Sequence, residues 1–404
     1  MKNPFKNPYI LSENNSDLFE EYLNPSEKAE DYGQDYATTN PKVTFFEQRI
    51  AALEGGTNAL VVKSLHAAKF LLFKTLLTAG QNIVTVNPST FQGKEKSKLQ
   101  ILGITVKSLS TYSLPEFKSL IDDKTGIIYL ETIGENDLSI PDFARIIAVA
   151  KEKNVPVVVD NSHGVAGYFI KPLSKGASIV IESTSEYFDN APNTPQAVII
   201  EGNTDWSKFN VKTSPEEITY LTINNGIIRP ETINTSSKVT LIDVLRENPY
   251  QNYNKYEIPN DPLSLIHKLE TIYSKASKRS ENALQIAKYL NTNDNIAKVV
   301  YAGLPTSESY LPAFTNMRNG FGNRIGFYLK DRTQTGAFIK SINEKNPGIE
   351  LKIVLNGNAP LIIFSAPEDT ISIVVALEYA LNNLKKNIAE AQFLQLTSNL
   401  NEII

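Results

Sequence analysis

Short runs of Val, Ile and Leu, separated by stretches with helical periodicity, constrain this chain more than any other feature. The runs are NALVV from 58, NIVTV at 82–86, ITVKSL at 104–109, GIIYLE at 126–131, VPVVVD at 155–160, ASIVIES at 177–183 and AVIIE at 197–201. Strands this apolar must be covered on both faces, and the intervening helices supply the cover. One such helix is expected in FFEQRIAALEGG, where Phe46, Ile50 and Leu53 share a face and Gly55-Gly56 ends it. Others are expected in HAAKFLLFKTLLTAG and at 141–154 in PDFARIIAVAKEKN. The expected fold class is α/β, with a mostly parallel sheet in a large domain. Ligands of such sheets bind at the carboxyl ends of the strands, which draws attention to Glu131, Asp160 and the residues after Ser183.

Residues 1–43 are broken by Pro4, Pro8, Pro25 and Gly33 and are expected to form an N-terminal arm. The large domain is placed at 44–260, with long loops expected across the polar stretch 202–260. A linking helix from about Pro262 to Leu290 opens the last unit, 261–404, expected as a smaller C-terminal α+β domain with an antiparallel sheet. The final segment, IAEAQFLQLTSNLNEII, carries a helical apolar pattern.

Composition narrows the function. The net charge is -4, with no long Lys/Arg run, so neither nucleic acid nor an anionic membrane is expected as a partner. No stretch approaches a membrane span and the N-terminus lacks a secretory pattern, so a cytoplasmic location is expected. Cysteine is absent, which excludes disulfides and thiolate chemistry, and the three histidines (His66, His163, His267) are too scattered for a His-rich metal site. The two methionines and absent cysteine fit either sulfur economy or drift.

Several segments resemble the cystathionine synthase, cystathionine lyase and O-acetylhomoserine sulfhydrylase family of fold type I PLP enzymes. They are FEQRIAALEGG (46–56), YLETIGEN (129–136), VPVVVDNS (155–162), RSENALQIAKYL and VVYAGLP. The resemblance spans roughly residues 36–385 and implies a PLP-transferase-like large domain.

It also implies a Schiff-base lysine in an SxTK motif, which falls here on Ser183, Thr184, Ser185 and Glu186. Glutamate cannot form that bond. Lys171 and Lys175 precede the strand and are expected at its far end. The family's Ser-Gly-Met phosphate turn corresponds to Ser64-Leu65-His66, and its intersubunit Arg to Ala37 or Thr38. Its ring-stacking Tyr corresponds to Phe91, the Asn of its ETxxNP segment to Glu135, and its substrate-carboxylate Arg to Ile362. A Gly- and His-containing stretch after the lysine is replaced by DNAPN at 189–193. The remnant cofactor positions are thus Ser64, Leu65, His66, Phe91, Asp160, Ser183 and Ser185. Asp160 would pair with the pyridine nitrogen, or serve only as a cap at a strand end.

The resulting expectation is a pseudoenzyme with no catalytic residue and no cofactor, covalent PLP being excluded at Glu186. Three functions are open. One is a non-catalytic partner or regulator, in a homo-oligomer or a hetero-oligomer with an active paralogue. The others are a residual lyase or transferase of cysteine and methionine metabolism, and a metabolite-binding protein using the vacated cleft.

Overall fold

The Val/Ile runs fold as read. In the computed structural model, which describes residues 41–109, 113–184, 197–209, 218–224, 227–233, 240–246, 262–356 and 358–384, they build one seven-stranded sheet. Its strands are β1 (Asn58–Val62), β2 (Asn82–Thr85), β3 (Thr105–Ser108), β4 (Thr125–Glu131), β5 (Val157–Asp160), β6 (Ile179–Ser183) and β7 (Ala197–Glu201). The order is β1-β7-β6-β5-β4-β2-β3. Strands β3, β2, β4, β5 and β6 run parallel, and β7 is antiparallel to both of its neighbours.

Residues on alternate faces of β4 enter two different cores. Ile128 and Leu130 pack on one side, and Ile127 and Tyr129 on the other. Burial of each such aliphatic side chain stabilises the fold by roughly 1.5–3 kcal/mol. Helix α1 (Pro41–Glu54) presents Phe46 and Ile50 to the first core, with Leu53 partly buried against it. It stops at Gly55, whose φ of +79° suits the left-handed end of a helix. Gly56 is needed for a different reason, since a Cβ there would lie 2.5 Å from Ile200 Cγ2 and 2.8 Å from the Glu201 carbonyl oxygen. Helix α2 (Leu65–Leu76) covers the opposite face with Leu71, Leu72 and Leu76.

A 30-residue helix, α3 (Pro262–Asn291), links the two halves of the fold. Leu269 and Ile272 lie in the first core of the large sheet, and Ile286 and Leu290 in the core of the small sheet. Beyond it stand β10 (Ile296–Val300), β11 (Arg324–Leu329), β12 (Lys352–Asn356) and β13 (Ala359–Ser365), in the order β10-β11-β13-β12 and antiparallel throughout. The α/β class, the fold type I large sheet and the smaller antiparallel sheet all agree with the sequence reading.

The polar stretch after residue 202 departs from it. Instead of loops alone it holds an antiparallel pair, β8 (Ile218–Asn224) with β9 (Ile227–Ile233), and a short helix at Leu241–Arg246. Their apolar residues are diluted by Thr, Asn and charge, so neither period stands out in the sequence. Residues 1–40 of the proposed arm, the DNAPN stretch and the final segment lie outside the described residues, while 41–43 already belong to α1. Among the described residues no helix is long and apolar enough to cross a membrane, and no cluster of metal-ligating side chains occurs.

Candidate active site

Three parallel strands end together at the site. Register pairs Glu131 of β4 with Asp160 of β5, and Asp160 with Ile181 of β6. Asp160 is buried and fully engaged. Its Oδ2 accepts from the Tyr129 hydroxyl at 3.1 Å, and its Oδ1 accepts from the Ser162 backbone N–H at 3.2 Å and hydroxyl at 2.6 Å. Ser162 Oγ in turn accepts from the Ser183 backbone N–H at 2.8 Å. Asp160 therefore caps the turn after β5, and it lies 3.9 Å from Lys69, which lines a cavity.

That cavity, of about 540 Å³, is lined by Ser64, His66, Lys69, Phe73, Phe91 and Glu95 among others. Phe91 is buried, its ring 4.9 Å from that of Tyr129. Ser64 forms the N-cap of α2, its Oγ accepting from the Ala67 N–H at 3.1 Å. Leu65 packs its side chain against the apolar core beneath the sheet, and His66 is exposed, 3.4 Å from Glu95. The sequence reading passed over Lys69. Its Nζ lies 3.9 Å from Asp160 Oδ2, 3.6 Å from Glu95 Oε1, and over the rings of Phe91 and Tyr129 at 5.9 and 5.5 Å. A lysine at i+4 of the capping turn of α2 was the available signal, since it shares a face with Leu65.

Burial pushes the Glu131 carboxyl up to about 7, with the Asp160 charge adding to the rise and Lys69 opposing it. Burial and the Asp160 charge also hold the Tyr129 hydroxyl well above its usual range.

A second cluster closes the other side. Glu135, which follows β4, meets His163 Nε2 at 2.9 Å, Lys352 Nζ at 2.6 Å and Arg324 at 3.4 Å. Burial alone would raise the Glu135 carboxyl. The hydrogen bond and charge of His163, the charge of Arg324 and the Lys352 hydrogen bond outweigh it and hold the group well below the carboxylate range. His163 reaches it through a tight turn in which Val165 and Ala166 both take positive φ, 53° and 46°. For a β-branched residue that conformation is strained.

Ile362 lies on the opposite face of β13, fully buried in the core of the small sheet with Phe327 and Phe338. The cations of the cleft come from the flanking strands instead, Arg324 from β11 and Lys352 from β12, positions the motif comparison did not single out. Lys171 and Lys175 precede β6, as expected. Ser185 and Glu186 lie outside the described residues.

A mostly parallel seven-stranded sheet with a buried carboxylate at the end of its central strand, joined by a long helix to a smaller antiparallel sheet, is the fold of the fold type I PLP class. The sequence comparisons specify the family. The model for Cys/Met metabolism PLP-dependent enzymes matches residues 14–345, and the chain belongs to that family. It is 31% identical over 303 residues to sulfhydrylase FUB7 of Fusarium oxysporum f. sp. lycopersici, covering 74% of this chain and 69% of that protein. It is 33% identical to the homocysteine/cysteine synthase of Saccharomyces cerevisiae over 72% of this chain and 66% of that one. A solved structure from Campylobacter jejuni, assigned as O-acetylhomoserine (thiol)-lyase, superposes with a TM-score of 0.71 at 20% identity, covering 85% of this chain and 87% of that one.

These findings overturn one expectation. The family is PLP-dependent, and the Campylobacter structure carries N′-pyridoxyl-lysine-5′-monophosphate, so the expectation of no cofactor does not stand. It rested on the joint loss of the lysine at Glu186, the phosphate-turn glycine at Leu65 and the intersubunit arginine near Ala37, and these are only some of the contacts that hold such a group. The residues present fit PLP. Asp160 keeps a buried carboxylate at the end of β5 beside Lys69, Phe91 gives the cavity a flat aromatic wall, and Ser64, His66 and Lys69 line it at the N-terminus of α2, where a phosphate finds positive potential.

Proposed function

We propose that this chain is a non-turnover member of the transsulfuration and O-acetylhomoserine sulfhydrylase family that serves as a partner or regulatory subunit in sulfur amino-acid metabolism. The observation that carries the reading is Glu186 at the position of the Schiff-base lysine. Supporting it, the cations of the cleft, Arg324 and Lys352, are engaged by the chain's own Glu135.

When bound, PLP supplies an electron sink for carbanion chemistry at an amino-acid substrate. Asp160 would hold its pyridine nitrogen, Phe91 its ring, and the N-terminus of α2 with Ser64, His66 and Lys69 its phosphate. Nothing among these residues moves a proton at a substrate carbon. Lys69 Nζ sits on the Asp160 side of the cavity, paired with carboxylates. The assembly is read as oligomeric, homomeric or mixed with an active paralogue.

The test uses the full chain saturated with PLP. Sulfide-dependent turnover of O-acetylhomoserine is expected to stay at the level of free PLP, in the wild type and in Glu186→Lys. Adding the chain to an active family member of the same organism is expected to change that enzyme's activity or PLP affinity. Turnover by the wild-type chain alone would establish the residual lyase or transferase instead. Unchanged activity of every such family member would remove the partner role.

A further inference from the structure

The side chain of Asn161 gathers two acids that the site described above does not use. Its Nδ2 lies 2.6 Å from Glu54 Oε1, 3.2 Å from Glu182 Oε1 and 3.1 Å from the Ile170 carbonyl oxygen. Its Oδ1 accepts from the Thr132 hydroxyl at 2.5 Å. Glu54, Thr132, Asn161 and Glu182 are all fully buried. An amide nitrogen carries two hydrogens, and three acceptors surround this one. Among the described residues no donor reaches Glu54 Oε2, yet Glu182 lies within hydrogen-bonding contact of Glu54. The charged and titratable groups around the pair are committed elsewhere or open to water. Arg49 is bound to Glu270 through Nε at 2.5 Å and Nη2 at 2.8 Å, and the Tyr273 hydroxyl donates to the Ala166 carbonyl at 2.6 Å. Lys171, whose charge acts on Glu54, is exposed. Glu131 and Asp160 lie on the opposite face of the sheet with Tyr129, whereas Glu182 alternates with Ile181 onto the face of Val180 and α1.

We propose that Glu54 and Glu182 hold one proton between them, and that this shared proton latches the end of β6 to α1 and to the turn after β5. Two ionised carboxylates in contact and away from water repel each other strongly, and a proton on either one supplies the hydrogen that Asn161 lacks. Burial accordingly holds the Glu54 carboxyl above its ordinary range, with the hydrogen bonds to Glu182 and Asn161 opposing the rise. The latch lies under the edge of the site. The Asn161 backbone N–H donates to the Ile181 carbonyl at 2.8 Å. Ser183, which follows Glu182, donates its N–H to Ser162 Oγ, and that hydroxyl is bonded to Asp160. Loss of the proton sets like charges against each other, and the end of β6 separates from α1 to relieve them. The strand end beside Asp160 thereby becomes sensitive to alkaline pH. This inference stands apart from the partner role, because it concerns the folded chain alone.

The experiment compares the full chain with Glu182→Gln, whose amide permanently supplies the hydrogen that the shared proton supplies. The folded pair keeps a proton that the unfolded chain releases above its ordinary value of 4.5. The pair's contribution to stability is therefore complete below that value and is lost as pH rises through the folded pair's own titration. Denaturant unfolding across pH reads this. Between pH 5 and pH 7 the folding constant of Glu182→Gln, divided by that of the wild type, is expected to rise about tenfold per pH unit. Glu131 titrates in the same window in both proteins and cancels from the ratio. Glu54→Gln provides the same reading if the first variant folds poorly. Infrared difference spectra at neutral pH are expected to show one protonated carboxylic acid in the wild type that either variant lacks. Hydrogen exchange at residues 179–183, corrected for its intrinsic dependence on pH, is expected to accelerate in alkali in the wild type and to stay level in Glu182→Gln. A ratio constant with pH, or spectra without that acid, would overturn the shared proton. Exchange at 179–183 that matches between the two proteins at every pH would overturn the latch.

Discussion

Lys69 Nζ stands 3.9 Å from Asp160 Oδ2, with the rings of Phe91 and Tyr129 on its flanks. The side chain of Lys69 is 12% exposed and that of Asp160 9%. A carboxylate so far from water needs compensation, and hydrogen bonds from Tyr129 and Ser162 supply only part of it. Lysine supplies the balance of charge without a direct hydrogen bond.

Lys69→Met is therefore expected to destabilise the protein without cofactor by about 1–3 kcal/mol, below the range for a closely bonded buried pair because Asp160 keeps its other partners. Denaturant unfolding of the two proteins checks this. An unchanged midpoint would mean that Tyr129 and Ser162 suffice.

Glu131 gives a pH-dependent counterpart. Its folded carboxyl is raised from 4.5 to about 7, so between those values the folded state holds a proton that the unfolded chain has released. Its contribution to stability is complete below the unfolded value and is lost as pH rises towards 7. Glu131→Gln is expected to flatten the decline in thermal midpoint between pH 5 and pH 8, whereas Lys69→Met is expected to extend it upward. Parallel profiles for all three proteins would contradict this assignment.

Glu135 behaves in the opposite sense. Its folded carboxyl is held down by His163, Arg324 and Lys352 against the effect of burial, so its contribution is present above the ordinary carboxylate range and is lost on acidification. The side chain is 43% exposed, and solvent screening limits the worth of each pair to about 0.2–1 kcal/mol. The stability difference between wild type and Glu135→Gln is expected to be small at neutral pH, to shrink further in high salt, and to vanish in acid. Melting curves across pH and salt read it directly.

The contrast between Glu131 and Glu135 shows how far the sequence could be read. Glu131 was visible as the last residue of a Val/Ile-rich strand, which placed it at a ligand-binding edge, whereas Glu135 was singled out only by the resemblance of its segment to ETxxNP. The continuous apolar runs located the seven strands of the large sheet within a residue or two, because burial on both faces leaves an unbroken apolar signature. Motif comparison found Asp160 and Phe91, which stand at strand ends or in short loops where register carries over. It failed where partners come from distant segments. Arg324 and Lys352 are separated from Glu135 by about two hundred residues, and Lys69 lies on a helix whose orientation only the packed sheet fixes. The expectation of no cofactor failed for a related reason. It counted lost contacts and gave no weight to those the fold still gathers.

Ile362 gives the sharpest test of position against packing. By motif it stands where the family carries a carboxylate-binding arginine, yet here it is fully buried and cross-paired with Phe327 and Ile353 in the core of the small sheet. A guanidinium placed there would lose its water, find no described carboxylate in the apolar cluster, and displace a well-packed side chain. Each of these costs several kcal/mol, and flexing of the long side chain towards solvent recovers only part. Ile362→Arg is therefore expected to lose more than about 4 kcal/mol of stability. Arg324→Gln, on the cleft face of the neighbouring strand, is expected to cost far less. Denaturant unfolding curves distinguish the two. An Ile362→Arg protein as stable as the wild type would mean that β13 can turn this side chain to the cleft.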